Sequence, residues 1–219
     1  MMTQVRRTIE KDGFAFLPRF RPEAASLAVA AEIGTPVKLG LLPEVQVLRP
    51  REQRVSPDSI YSGNYGLDEF PLHTDLAHWH RPPRYILLRC RVGSPVKTWV
   101  VDGDSLVETV GRVVLERGLV RPRRPILGRK CLLRLYQRVG DSHLLRWDDL
   151  FLEPAAESGV VAMMAIAAHL GACERRGFCL EEEADTLVID NHRMLHGRSL
   201  VSKASLARCV ERIYLRELL

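Results

Sequence analysis

Thr186-Leu187-Val188-Ile189-Asp190-Asn191-His192-Arg193-Met194-Leu195-His196-Gly197-Arg198 is the stretch on which the reading of this chain turns. It opens as a strand, with β-branched and apolar residues running to Ile189. Beyond a polar turn it ends on His196. Its counterpart lies far upstream, in Phe70-Pro71-Leu72-His73-Thr74-Asp75. Side chains alternate along an extended segment, so His73 and Asp75 face one way while Thr74 points away. One strand cannot wrap an ion, so a third ligand has to come from elsewhere. Two antiparallel strands of a barrel would bring His196 to the pair.

Two imidazoles and one carboxylate are the donor set of the 2-His-1-carboxylate facial triad. That triad holds one face of a non-haem Fe(II) and leaves the other face open. A plainer reading of His73 and Asp75 stands beside it: a loop histidine and a helix-capping aspartate. His78 and His80, in His78-Trp79-His80, offer an alternative metal set by spacing, or act as ordinary loop histidines. His143 and His169 read as structural.

The two stretches together resemble the TauD/TfdA branch of the Fe(II)/2-oxoglutarate-dependent dioxygenases, the clavaminate-synthase-like group. The resemblance covers about residues 60–216, with the motifs in the family's order. Ala184 departs from the pattern, because the family often has Gly before the strand. The resemblance implies an α+β, mainly β fold: a double-stranded β-helix (jelly roll, cupin-like) with flanking helices. It implies Fe(II) on His73, Asp75 and His196, with 2-oxoglutarate and O2 as cosubstrates. Succinate and CO2 are the expected by-products. Hydroxylation is the default outcome, with desaturation, cyclisation or epimerisation open. Asp75 keeps the carboxylate that related halogenases lack. His192 falls where the family's side chain varies.

Two further positions follow from the resemblance. Thr98, in Pro95-Val96-Lys97-Thr98-Trp99-Val100, matches a threonine that bonds the distal carboxylate of 2-oxoglutarate, although Ser-Pro-Val-Lys replaces the usual Gly-Gly-Asp. Arg208, twelve residues after His196, matches the arginine that binds the same carboxylate. A guanidinium suits that task on physical grounds, since its planar fork gives two parallel hydrogen bonds and stays charged. Arg212 shares a face with Arg208 in an extended segment. It is assigned to an anionic part of the substrate, or to a second contact with the cosubstrate. The plain alternative for either arginine is a surface pair with Glu211 or Glu217. Tyr61, Asn64, Tyr65 and Trp79 flank the metal motif and offer aromatic surface with polar groups, so they are candidate substrate contacts.

Composition fits one enzyme domain spanning residues 1–219. The chain has 219 residues, 46% hydrophobic and 27% charged, enough for a sizeable core. No apolar run is long enough for a membrane span. The basic N-terminus has no apolar segment behind it and does not read as a signal peptide. Five scattered cysteines, never in CxxC, read as reduced thiols of a cytoplasmic protein. Net charge is +5. The basic run Arg121, Arg123, Arg124, Arg129, Lys130 and Arg134 permits nucleic-acid contact, but prolines interrupt it and no binding motif accompanies it. A solvated loop that draws in anionic substrates is the preferred reading. A small-molecule substrate is expected, with no nucleic acid or membrane partner. The alternatives are the same chemistry on a macromolecule, or a jelly-roll binding or sensor protein without catalysis. Oligomeric state is not readable.

Local patterns give strands near 12–18, 44–48, 84–90, 98–101, 131–138 and 143–147. Helices are expected over Pro22–Ile33, from an Asp104-Ser105 cap to about Arg117, and over Val160–Cys173. Residues 49–70 read as a long loop ahead of the metal motif. The Met163-Met164 pair reads as core filling.

Overall fold

The computed structural model of the chain describes residues 2–40, 42–53, 59–126 and 128–219. It opens with helix α1 (Met2–Asp12), strand β1 (Phe14–Leu17), helix α2 (Ser26–Ile33) and strands β2 (Gly34–Pro36) and β3 (Gln46–Leu48). Helix α3 (Tyr61–Tyr65), β4 (Phe70–His73), β5 (Tyr85–Val92) and β6 (Lys97–Asp102) follow. Helices α4 (Gly103–Val110) and α5 (Arg112–Arg117) lead into β7 (Leu119–Pro122), β8 (Leu133–Arg134), β9 (Tyr136–Val139), β10 (Ser142–Leu145) and β11 (Leu152–Pro154). Helix α6 (Glu157–Ala172), β12 (Arg176–Cys179), β13 (Thr186–Asp190), β14 (Met194–Arg198) and β15 (Cys209–Leu218) complete the chain.

Two antiparallel sheets carry the site. The larger runs β1-β13-β5-β15-β2, with β3 also on β15; the smaller runs β12-β6-β14-β4. Strand β5 shows why its sequence is one continuous apolar run. Ile86, Leu88 and Cys90 face the smaller sheet, packing with Val100 and Met194. Tyr85 and Leu87 face the other way, onto Val5, Ile9, Val29 and Ile33 of α1 and α2. Both faces are buried, so both alternating sets must be apolar. The outer face of the smaller sheet is covered in turn by α4, α5 and α6, through Leu72, Val101 and Leu195. Each fully buried aliphatic side chain contributes roughly 1.5–3 kcal/mol, so these layers dominate stability.

Several sequence expectations shift. Helix α1 was not anticipated, although Val5 and Ile9, four residues apart, mark its buried stripe. Helix α2 starts at Ser26, because Arg21–Ala24 form a turn. The helix expected from Asp104 to Arg117 is two helices, broken at Gly111 with φ +94°. Its cap is Asp102, whose carboxylate accepts from the Asp104 N–H. Residues 49–70 are not loop throughout, since α3 lies within them; residues 54–58 are outside the described set. Met163 is core, but Met164 is exposed. No helix among the described residues is long and apolar enough to cross a membrane.

Candidate metal centre and its cavity

Strands β4 and β14 pair antiparallel with His73 opposite His196. Directly opposed residues share a face, which aims both imidazoles at one point. Gly197 permits the approach: a Cβ there would stand 2.7 Å from the Phe70 carbonyl oxygen. Thr74 turns away, as its position between His73 and Asp75 requires. Its N–H donates to the Trp147 carbonyl at 2.8 Å, and its hydroxyl accepts from the Trp147 N–H at 3.1 Å. Asp75 then swings back beside the histidines.

His73, Asp75 and His196 each offer a ligand atom, and the three lie within 4.8 Å of one another. Asp75 Oδ1 is 3.4 Å from His73 Nε2 and 3.6 Å from His196 Nε2. His73 Nδ1 is 2.8 Å from the Pro71 carbonyl oxygen, so that nitrogen carries the proton and Nε2 presents its lone pair. The donor set, its burial and the free Nε2 lone pair fit a divalent transition metal. His78 and His80 belong to no such group among the described residues.

The other carboxylate oxygen is held from the opposite sheet. Asp75 Oδ2 accepts from Arg212 Nη1 at 2.7 Å and from the Tyr214 hydroxyl at 2.9 Å. Arg212 also donates to Gln46 Oε1 at 2.7 Å. Burial pushes the Asp75 carboxyl up, but Arg212 and the two imidazoles outweigh it and hold it well below the usual range. The backbone of Asp75 is fixed too. Its N–H donates to Asn191 Oδ1 at 2.7 Å, and Asn191 Nδ2 donates to the Asp75 and Pro83 carbonyls at 3.0 and 2.9 Å.

These groups open on a cavity of about 560 Å³ between the sheets. Its lining includes Thr98, Arg198, Arg208, Leu88 and Val210. Arg198 Nη2 donates to the Gly66 and Asp68 carbonyls, and its guanidinium lies over the Phe70 ring, while its buried Nε has no partner among the described residues. Arg208 is 7% exposed, and among the described residues no carboxylate pairs with its guanidinium. A buried, unpaired cation is costly unless an anion joins it. Tyr61, His78, Trp79, Asp148 and Phe151 line it as well. Tyr61 stacks on His73 with ring centroids 4.2 Å apart. Buried Arg146 donates to the carbonyls of Ala77, Trp79 and His80 and so orders the turn that carries His78 and Trp79. Burial pushes the His78 ring down to about 4 and the Asp148 carboxyl up to about 6.

The family model described as Taurine catabolism dioxygenase TauD, TfdA family matches residues 1–121. The chain belongs to this family. It is accordingly a dioxygenase, an oxidoreductase. The match contains His73, Asp75 and Thr98 and stops before His196, Arg208 and Arg212, which the tertiary structure brings to them. No curated protein sequence matches the chain. Among solved structures, an asparagine oxygenase in complex with Fe(II), 2S,3S-3-hydroxyasparagine and succinate superposes with TM-score 0.71 at 18% identity, over 98% of this chain and 77% of that one. PvcB, described as an Fe, alpha-ketoglutarate dependent oxygenase from an isonitrile synthetic pathway, gives TM-score 0.69 at 16% identity, over 98% and 80%. The oxygenase OrfP, in complex with Fe, succinate and (3S)-hydroxy-L-Arg, gives 0.60 at 21%, over 78% and 56%. At these identities the likeness is one of fold: mixed α/β with antiparallel sheets.

In this TauD-family chain the residues singled out by sequence part company. Thr98, Arg208, Arg212, Tyr61 and Trp79 all line the cavity. Asn64 and Tyr65 do not: Asn64 Nδ2 donates to the Ile60 carbonyl, and Tyr65 packs on Tyr61 and Phe70. Arg212 is turned to Asp75 and Gln46 rather than left open to a substrate. Sequence reading missed Asn191, Tyr214 and Asp148. Tyr214 carried a signal, because it sits two residues beyond Arg212 on the same strand face. Asn191 lay inside the quoted stretch. The basic run is partly neutralised, as Glu153 takes Arg121, Arg123 and Lys130.

Proposed function

We propose that residues 1–219 form a single Fe(II)- and 2-oxoglutarate-dependent dioxygenase domain with a jelly-roll core, hydroxylating a small amino-acid-like metabolite. The observation that carries this is the convergence of His73, Asp75 and His196 within 4.8 Å beside a cavity that also contains the unpaired Arg208. The three side chains would hold the iron, and Arg208 with Thr98 would take the far carboxylate of 2-oxoglutarate. Bound together, iron and 2-oxoglutarate supply the oxidising chemistry: one atom of O2 enters the substrate and the other enters succinate as CO2 leaves. The protein's own share is positional. Arg212 and Tyr214 fix the orientation of Asp75, the Pro71 carbonyl fixes that of His73, and Tyr61 walls the site against water. Desaturation or cyclisation would use the same residues.

The amino-acid-like substrate is supported by cavity size, about 560 Å³, which suits a cosubstrate and one small molecule. It is supported also by the hydroxylated amino acids named with the asparagine oxygenase and OrfP structures. All five cysteines are free thiols, in keeping with a cytoplasmic setting. The test needs no substrate. Fe(II) and 2-oxoglutarate added without oxygen should give the visible charge-transfer band of the chelate, and His73→Ala should remove it. A folded wild-type protein that gives no band would refute the reading.

A further inference from the structure

We infer that the chain forms a two-fold symmetric dimer through the outer face of helix α6, packed antiparallel on the same helix of a second copy. No Asp, Glu, Lys or Arg stands between Glu157 and Glu174. The inner face of α6 is spent on the core. Gly159, Ala162, Met163, Ile166 and Leu170 are buried, and the last four share a cluster with Leu72 and Leu195, the neighbours of His73 and His196. The outer face is apolar too, yet bare. Val161 is 56% and Met164 69% exposed, with Val160 beside them. A helix that is apolar all round belongs between two layers of protein, and here only one layer is present. Loss of charge and gain of Met are also what mark the centre of a subunit interface.

The order of residues on the bare face points to a second copy as its occupant. Glu157, Val161, Met164, Ala168 and Gly171 follow at steps of four, three, four and three. That is the 3.5-residue repeat of two helices that stay in contact along their length. The stripe is bulky in its first half and small in its second. Turned antiparallel, it complements itself. With Met164 set against the other copy's Ala168, Val161 falls against the other copy's Gly171, and the two-fold axis repeats both contacts. The same register complements charge. Glu157, which makes no ion pair among the described residues, comes beside the segment Glu174-Arg175-Arg176 that follows the other helix and carries a net positive charge.

Gly171 is an independent sign. A Cβ there would meet nothing within 4 Å, and the residue has no positive φ. Neither crowding nor backbone geometry within the chain calls for glycine, which weakens an exposed helix relative to alanine. Close approach of another backbone does call for it.

The test is sedimentation equilibrium of the full chain from about 1 to 300 μM, a range that spans weak and firm association. The mass of wild type should rise from one chain towards two. Gly171→Leu should weaken association tenfold or more without lowering the melting temperature of the dilute protein, because the single chain has room for the side chain. Val161→Glu should weaken it as much. Leu27→Glu, at an exposed leucine of α2, should leave it unchanged. A wild type that stays monomeric throughout would overturn the inference. So would a dimer that both α6 variants leave intact, or one that Leu27→Glu disrupts equally.

Discussion

Arg212 donates at 2.7 Å to the oxygen of Asp75 that faces away from His73 and His196. This division of labour leaves Oδ1 for the metal and gives Oδ2 a fixed counter-charge. Removing a partner that orients a metal ligand costs about 10–100-fold in metal affinity. Arg212→Met should therefore weaken Fe(II) binding by that order in an anaerobic titration, and Tyr214→Phe should do so less. Unchanged iron affinity together with lost substrate affinity would return Arg212 to the substrate.

Arg208 behaves differently because it touches no ligand of the metal. Its burial without a partner pushes its pKa down and leaves it in want of an anion. A charge-assisted pair of this kind contributes about 1.5–3 kcal/mol, or roughly 10–100-fold. Arg208→Ala should raise the 2-oxoglutarate concentration that half-saturates the visible band by that factor, while iron affinity holds. Arg208→Lys should recover part of the loss, because it restores the charge but not the bidentate fork.

Asn191 is wholly buried and makes three hydrogen bonds that tie Asp75 to Pro83. Asn191→Ala leaves one N–H and two carbonyls unpaired away from water. The expected cost is about 2–5 kcal/mol. Thermal unfolding of the metal-free protein should fall by roughly 5–15 °C. A fall of under two degrees would mean that Asp75 is positioned by its side chain alone.

Asp148 makes a prediction about stability. Its folded carboxyl keeps a proton up to about pH 6, against 3.8 for the free group, because burial opposes its charge. Between those values the folded state binds more protons than the unfolded one. Stability contributed by this group therefore falls as pH rises through that window. At neutral pH the buried charge costs up to about 3 kcal/mol. Asp148→Asn without ligand should then melt above wild type at pH 7.5, and the gap should close towards pH 4. A constant gap would show that the carboxyl is paired in solution.

Much of the fold was legible where local pattern is strong. The strand runs around residues 84–90 and 185–190 and the helix ending near Cys173 all formed. The departure at Ala184 marked a real constraint: the residue sits at φ +71°, a conformation that suits glycine. Helix boundaries were less legible. Gly111 splits one expected helix, and α1 declares itself only through two buried residues.

For the site, sequence spacing was enough to nominate His73 and Asp75, because alternation along an extended chain is a local property. Linear order and chemistry nominated His196, Thr98 and Arg208. What only the tertiary structure decided is who faces whom. The β4–β14 register set His73 against His196, and the crossing of β15 carried Arg212 to Asp75 at the cavity wall. The burial of Asp148 likewise came only with the packing around it. Ligand types are written in residue identity, whereas burial and pairing arise between segments distant in the chain, and those set the cost of every charge.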